Sequence, residues 1–394
     1  MKIMFPIHLR AARLRLGWSL DELAKHANCV TKTMLSRYEL GVAMPSHDVL
    51  LKLCSALKVT KEEMLTSSDL NVEFVAFRKT QQLPVKEAER IKAEACWRLR
   101  FRWDLARILG ATPASNPLPQ YKADIAAIAE SHASALREEW NLGAGPLPNL
   151  TNLLEDRGFE IVVLRADDQF SGISAWIDKR NPAIVVQFRQ TDGARQRMDL
   201  AHELGHLVGN PSQKADEEDY AALFGGAFLF PEPAVRREFP VRRNRLTLAE
   251  LKTVKAKYGI SMEAILRRLR DLGILNQEGY SWWYSAGAVR KKEKMEPFVP
   301  TEAPARPIQL ASRAISEGLV NVQSLSTSGD FPPDQLADLQ QQAPKPKETL
   351  QQKFLRMTPE QKRDVLSKES VRLAEHYAQN PEEIIPDIIH DTDE

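Results

Sequence analysis

The segment Asp199-Leu-Ala-His-Glu-Leu-Gly-His-Leu207 contains the pattern His-Glu-x-x-His. On an α-helix a spacing of four puts His202 and His206 on one face, where two imidazoles can grip one metal ion, and Glu203 then points at the water beside it. Zinc is the ion such ligands suit, and the chemistry is hydrolysis of an amide. A zinc held there would polarise a scissile carbonyl, while Glu203 would accept a proton from the attacking water and pass it to the leaving amine. A chain of this composition produces the pattern by chance about once in a hundred sequences, so the bare match decides little. Its surroundings decide more. Leu200, Ala201, Leu204 and Leu207 make this a buried helix, and a buried histidine pair needs partners that a metal would supply. A catalytic zinc also wants a third protein ligand. The acidic cluster Asp216-Glu-Glu-Asp219 follows a polar loop (Gly209–Gln213) and opens an apolar helix, Tyr220–Phe230, stopped by Pro231.

A second set of residues could read nucleic acid. Ser19, followed three residues later by Glu22, is a capping box that starts a helix with Leu20, Leu23 and Ala24 turned inward. Asn28-Cys29-Val30 forms a turn, Thr31 caps a second helix over Lys32–Leu40 with Leu35 inward, and Gly41 ends it. Pro45 and Ser46 open another helix holding Val49, Leu50, Leu53 and Leu57. One helix that braces the backbone and a second whose exposed N-terminal side chains reach base edges is the arrangement that major-groove recognition requires. Residues 1–60 carry nine Lys/Arg against four Asp/Glu, which favours DNA over a helical module that only contacts protein.

The elements that must position these groups differ along the chain. Residues 7–59 read as short amphipathic helices. Leu70–Leu109 is charged and helical in pattern and ends in a Pro-rich break (Ala111–Pro119), and a further helix over Lys122–Trp140 stops at Gly143-Ala-Gly-Pro146. Ile161–Leu164 and Ala183–Phe188 are β-branched strand candidates, with Ser171–Ile177 a third between them. Helical patterns return over Arg195–Leu272. After Tyr280 the chain is Pro-rich and polar, with a helical segment near Ile308–Gly318 and a Gln/Pro/Lys linker, Gln340–Lys347.

At 394 residues, 43% of them hydrophobic, the chain can fill two or three cores. Its 54 basic and 53 acidic residues nearly cancel, so net charge names no partner. The last fourteen residues carry six acids and no Lys or Arg, in contrast to the basic front. Cys29, Cys54 and Cys96 are odd in number and form no Cys-x-x-Cys, which argues against a disulfide framework and fits a reducing cytoplasm. The longest apolar run, Phe224–Phe230, is too short to span a bilayer, and no signal peptide is read at the N-terminus.

Two family resemblances join these readings. Leu9 to about Leu65 resembles the lambda-repressor-like (Xre) helix-turn-helix family through Trp18-Ser-Leu-Asp-Glu-Leu-Ala24, Ser36-Arg-Tyr-Glu39-Leu-Gly41, Pro45-Ser46 and Leu50-Leu-Lys-Leu53. The resemblance implies that Lys32, Thr33, Ser36 and Arg37 occupy base-reading or phosphate-contacting positions on double-stranded operator DNA. Arg37 could read guanine through two hydrogen bonds. Glu39 is read as structural, and a palindromic operator would be met by a homodimer. The run Arg195-Gln-Arg-Met-Asp-Leu-Ala-His-Glu-Leu-Gly-His206, with Ala221–Pro231 following, resembles the ImmA/IrrE family of metallopeptidases. The resemblance extends to Pro148-Asn-Leu150, Leu153-Leu-Glu-x-x-Gly158, the Gly172 loop, the Tyr258-Gly-Ile-Ser261 helix pair and Glu296-Pro297. Phe228-Leu-Phe-Pro231 stands where the family has a Leu-Leu-Met-Pro-like stop. Counting back from that proline implies Glu218 as the third zinc ligand, with Glu217 its nearest competitor.

The chain departs from the second family at Met198-Asp199 (usually Phe-Thr), at Tyr220 (an acid is common) and at Gly225-Gly226 (usually alanines). Glycines inside a helix cost about 1 kcal/mol each relative to alanine, so a close approach to the metal helix is expected there. For an oxyanion donor, Tyr220 and His132 are candidates that no spacing supports.

The implied architecture is α+β and mostly helical. An all-α helix-turn-helix domain (1–66) is followed by a helical connector (67–145) and a zincin-like α+β zinc peptidase domain (146–275). A C-terminal extension (276–340) and a linker, short helix and acidic tail (341–394) complete it. The implied function is a DNA-binding transcriptional regulator with a zinc endopeptidase. It would cleave a protein substrate, a repressor or other partner, in a stress, mobile-element or toxin–antitoxin circuit. One rival is a regulator or antitoxin whose zinc is structural or sensory; the other is a protease whose first domain merely docks substrate. A structural site would not need Glu203, which favours catalysis.

Other charged and aromatic groups read as scaffold. Arg98, Arg100, Arg102 and Trp103 suggest a solvated helix face around a core tryptophan rather than a nucleic-acid patch. Arg236, Arg237, Arg242, Arg243 and Arg245 fall in an expected loop, and Trp282-Trp283-Tyr284 in packing at a domain edge. The helix over Thr358–Ala378 and the acidic end loosely resemble small antitoxin proteins.

Overall fold

Ser19 opens its helix as a capping box: its hydroxyl accepts from the Glu22 amide, and the Glu22 carboxylate accepts from the Ser19 amide. In the computed structural model the first five helices are α1 (Phe5–Arg15), α2 (Leu20–Ala27), α3 (Lys32–Glu39), α4 (His47–Leu57) and α5 (Lys61–Leu65). Thr31 and Ser46 cap α3 and α4, each interaction contributing on the order of 1 kcal/mol. Asn28 and Gly41 take the left-handed conformation (φ 46° and 71°) that ends α2 and releases the chain after α3. Phe5, Leu9, Leu23, Leu35, Leu53 and Leu57 are fully buried together. Glu39 is structural, as read: its two oxygens accept from Arg13 at 2.6 and 2.7 Å.

The structure describes residues 5–65, 70–79, 83–112, 118–123, 125–211, 217–285, 289, 293, 297–342 and 357–379. Parts of several sequence features lie outside these: the Pro-rich break at 113–117, the polar loop at 212–213 with Asp216, Glu296, most of the 340–347 linker, and the acidic end. The chain divides into two compact units, Met1–Gln342 and Ala343–Glu394. In the second, the described residues hold one helix, Pro359–Gln379.

The stretch 70–109 is not one helix. Val72–Lys79 is a strand, β1, and only Val85–Ile108 forms α6. The charged texture hid the alternation of Val72 and Phe74, and β1 pairs with a strand about a hundred residues downstream, which no local pattern reveals. Further on come β2 (Tyr121–Ala123), α7 (Ala129–Glu139), α8 (Leu150–Asp156), β3 (Glu160–Leu164), β4 (Phe170–Ile177) and β5 (Asn181–Gln187). The sheet order is β1-β4-β5-β3, with β3 and β5 parallel and β4 antiparallel to both neighbours. Asp178 and Lys179 turn β4 into β5 with positive φ at both positions (50° and 59°), the geometry of a tight hairpin.

Two helices cover this sheet. On one face α6 lays Ile91, Ala95 and Leu99 against Val162, Ile173 and Val185. On the other lies α9 (Gly193–Val208), whose Leu200, Ala201 and Leu204 share a core with Ile161, Ile184 and Val186. With both faces buried, β5 is inaccessible along its whole length, as expected of a central strand. Helix α6 also reaches the first domain: Trp97 sits in that domain's core, and the Arg15 guanidinium lies 4.5 Å over its ring.

The remaining elements enclose α9. They are β6 (Gly209–Pro211), α10 (Glu217–Leu229), α11 (Glu232–Glu238), α12 (Leu248–Tyr258), α13 (Met262–Asp271) and α14 (Gln277–Ser285). Arg236 and Arg237 therefore lie on a helix rather than in the expected loop. Trp283 is core and Trp282 exposed. Beyond 297, three helices (Arg306–Ser316, Val322–Thr327 and Pro333–Gln342) occupy a stretch in which sequence patterning showed one. The chain is α+β and mostly helical.

Candidate metal centre

Helix α9 runs through the middle of the core, so each of its side chains must find a partner in a neighbouring element. Successive positions on a helix diverge by about 100°. The face carrying His202 and His206 meets α10, and Glu203 turns to the sheet. Both histidines and Glu203 are buried; Glu203 is wholly so.

The two helices pack closely because glycines line their crossing. A Cβ added at Gly225 would come within 3.0 Å of the His202 amide nitrogen, and one at Gly205 within 3.0 Å of the Ala221 Cα. The helical glycine at 225 thus has the role its sequence context suggested. Gly226 leaves room instead for the Arg268 side chain.

That approach brings the first turn of α10 over the histidines. The Nε2 atoms of His202 and His206 lie 3.1 Å apart, and Glu218 oxygens stand 3.3 Å from the first and 3.5 Å from the second. Four tetrahedral ligands at zinc distances of 2.0–2.1 Å are separated by about 3.4 Å, so the spacing of these donors fits one zinc ion between them. Among the described residues this is the set of His, Cys, Asp or Glu side chains that could hold a metal. The imidazoles, His202 foremost and then His206, hold the Glu218 carboxyl well below the usual carboxylate range. Glu218 is 59% exposed and the histidines are not, so the set opens to solvent on the α10 side. Glu217, the competitor, is not part of it.

Glu203 is placed by β4. A Cβ on Gly172 would lie 2.5 Å from the Glu203 Oε1, so only glycine leaves the carboxylate where it is. Gly172 belongs to a strand, paired across to Val186, rather than to a loop.

Residues 157–270 match the family model of the IrrE N-terminal-like domain, and residues 9–64 match that of the helix-turn-helix. The chain joins a helix-turn-helix domain to an IrrE N-terminal-like domain. No curated protein matches it. The second match contains α9, α10 and all three donors, whereas β1, α6 and everything after 270 lie outside both matches.

Segments beyond the match hold α9 in place. Glu302 donates its amide to Gln196 and receives the Gln196 side-chain amide on its carbonyl. Its carboxylate takes the Thr151 amide at 2.8 Å and pairs with the buried Arg197. This clamp escaped the sequence because its halves lie about a hundred residues apart with no shared spacing. Tyr220 and His132 hydrogen-bond each other at 2.9 Å, between α10 and α7. Gly209 covers the tyrosine ring, and burial pushes its phenol well above its ordinary pKa.

The first domain offers a contrasting surface. Lys32, Thr33 and Arg37 are exposed on α3 and Ser36 is half-buried, over a fully buried Leu35. Lys32 pairs with Asp21 at 2.6 Å in the open. The arginines of α6 correct the sequence reading: Arg102 is neither a nucleic-acid contact nor solvated. It is buried, donating twice to Asp330 and once to the Ile161 carbonyl.

Proposed function

We propose that this protein is a transcriptional regulator that binds operator DNA through its first domain and cleaves a partner protein through its second. His202, His206 and Glu218 would hold zinc, which when bound supplies Lewis acidity to the scissile carbonyl and to the attacking water. Glu203 is the general base: it takes the water's proton and returns it to the leaving amine. Gly172, by lacking a Cβ, leaves the space in which the Glu203 carboxylate sits. Lys32, Thr33, Ser36 and Arg37 face the major groove, and two copies would read a palindromic site. The substrate is a repressor or toxin–antitoxin partner, and the setting is the cytoplasm. Among the described residues no helix is long and apolar enough to cross a membrane.

The observation that carries this reading is the donor triangle on α9 and α10 with a fully buried glutamate on the adjoining helix position. A structural zinc site has no use for that glutamate. The test is co-purification of tagged full-length protein, wild type and Glu203→Gln, with metal content measured on both. Equal zinc and an uncut protein retained only by the variant support the reading. Equal zinc with identical retained proteins, and no cleavage by either form, would favour a sensory or structural metal instead.

A further inference from the structure

The parallel strands β3 and β5 end side by side, the Phe188 amide donating to the Leu164 carbonyl, and just beyond them the surface hollows into a cavity of about 650 Å³. Crevices outside the carboxyl ends of parallel strands are where open sheets bind ligands. This one is walled by five arginines: Arg90, Arg98 and Arg102 from α6, Arg165 after β3, and Arg189 after β5. Three acids share the lining, Glu94, Glu302 and Asp330, so it carries five positive charges against three negative ones.

The pairing is uneven. Arg90 is matched by Glu87, Arg98 by Glu94, and Arg102 by Asp330. Glu302 is spent on Arg197. Among the described residues Arg189, its side chain only 8% exposed, meets one carboxylate, Asp199 at 3.3 Å, and its Nε is buried with no hydrogen-bond partner. Among the described residues Arg165 is paired with no carboxylate: its guanidinium lies 4.5 Å over the Phe188 ring. Leaving a guanidinium N–H buried and unsatisfied is costly, and the group that satisfies such forks best is a planar or tetrahedral oxyanion.

We propose that this cavity is a binding site for a phosphate-bearing small molecule, its phosphate held between Arg165 and Arg189. Phosphate fits the guanidinium fork bidentately, and its charge offsets the excess of positive over negative groups in the lining. The apolar part of the lining, Phe188 with Phe331 and prolines of the 304–333 stretch, leaves room for an organic portion. Its location gives the site reach. Arg189 pairs with Asp199, three residues before His202 on α9, and Gln196 of α9 also lines the cavity. The opposite wall is α6, whose Trp97 sits in the core of the first domain.

Pyrophosphate is the probe, titrated calorimetrically into full-length protein, wild type and His206→Ala. The second form removes a donor from the α9 set, so probe held by a metal there is told apart. The expected result is saturable binding at one per chain in both forms, with Arg165→Gln and Arg189→Gln each weakening it at least tenfold. Arg236→Gln, on an exposed helix elsewhere, should leave it unchanged. Arg165 is exposed, so its variant folds even if Arg189→Gln does not, and that variant alone then decides. No saturable binding, equal binding by Arg165→Gln, loss of binding in His206→Ala, or equally tight binding of citrate would each overturn the proposal.

Discussion

Helices α3 and α9 carry the two proposed activities by opposite means. Helix α3 is short, capped by Thr31 and anchored by little more than Leu35 and Tyr38, and it holds Lys32, Thr33 and Arg37 out in solvent. Helix α9 is twice as long and buried over nearly every residue, and it holds its polar side chains against other protein groups. A surface that reads a partner needs only rigid support beneath it. A site that does chemistry needs its groups fixed from all sides, and that fixing comes from distant segments: Gly172 under Glu203, Glu302 on Gln196 and Arg197, Gly225 against His202. The comparison teaches where substitutions should be separable. On α3 they should alter binding with little effect on stability; around α9 they should alter either chemistry or folding.

Glu203→Gln should have the largest effect. Loss of a general base lowers a rate by about 10²–10⁴-fold, and zinc stoichiometry measured on the same sample should not change. Asp330→Ala comes next, as a scaffold change on the buried side. It strands Arg102, whose side chain is 5% exposed, and removing one partner of a buried ion pair costs about 3–5 kcal/mol. Urea denaturation would show this as a lower midpoint. Gly172→Ala should leave zinc content intact and reduce cleavage about 10²-fold, since displacement of a catalytic group by about 1 Å costs that much; an unchanged rate would mean that β4 does not position Glu203. On the exposed side, Arg37→Ala should cost about 1–3 kcal/mol of operator affinity and relax preference at one base, with an unchanged unfolding midpoint. The smallest effects concern thiols. Burial pushes the Cys54 and Cys96 thiols up to about 11. Because the folded state favours their protonated form, the associated stability is complete below an unfolded-state pKa of about 8.5 and is lost as pH rises towards 11. Iodoacetamide at pH 8 should therefore leave both unmodified in native protein, as mass spectrometry of the intact chain would show.

Local signals made much of this legible from sequence, and non-local ones did not. Ser19, Thr31 and Gly41 mark their helix ends with their own side chains or lack of one, so α2 and α3 could be read directly. His202 and His206 are four residues apart on one helix with Glu203 beside the first, which makes their geometry a matter of helical pitch. Glu218 required a family resemblance, because its approach to the histidines depends on how α10 crosses α9. Strand β1 was misread because its partner β4 is far along the chain, and its hydrophobic alternation is short beside the charged helix that follows. Arg102 was misread for a similar reason: Asp330, which buries it, lies 228 positions away. The placement of Arg165 and Arg189 at one cavity is also invisible in sequence, because it follows from the parallel pairing of β3 and β5.

The most direct test of the account is transcription from the protein's operator, followed under the inducing condition together with a blot of the partner retained by the Glu203→Gln form. The wild type should derepress as the partner disappears. Glu203→Gln should bind zinc and DNA normally yet stay repressed with the partner intact, while Arg37→Ala should lose operator occupancy with the metal centre loaded. If Glu203→Gln derepresses normally and the partner remains whole, cleavage is not how this protein regulates, and the metal centre is a sensor.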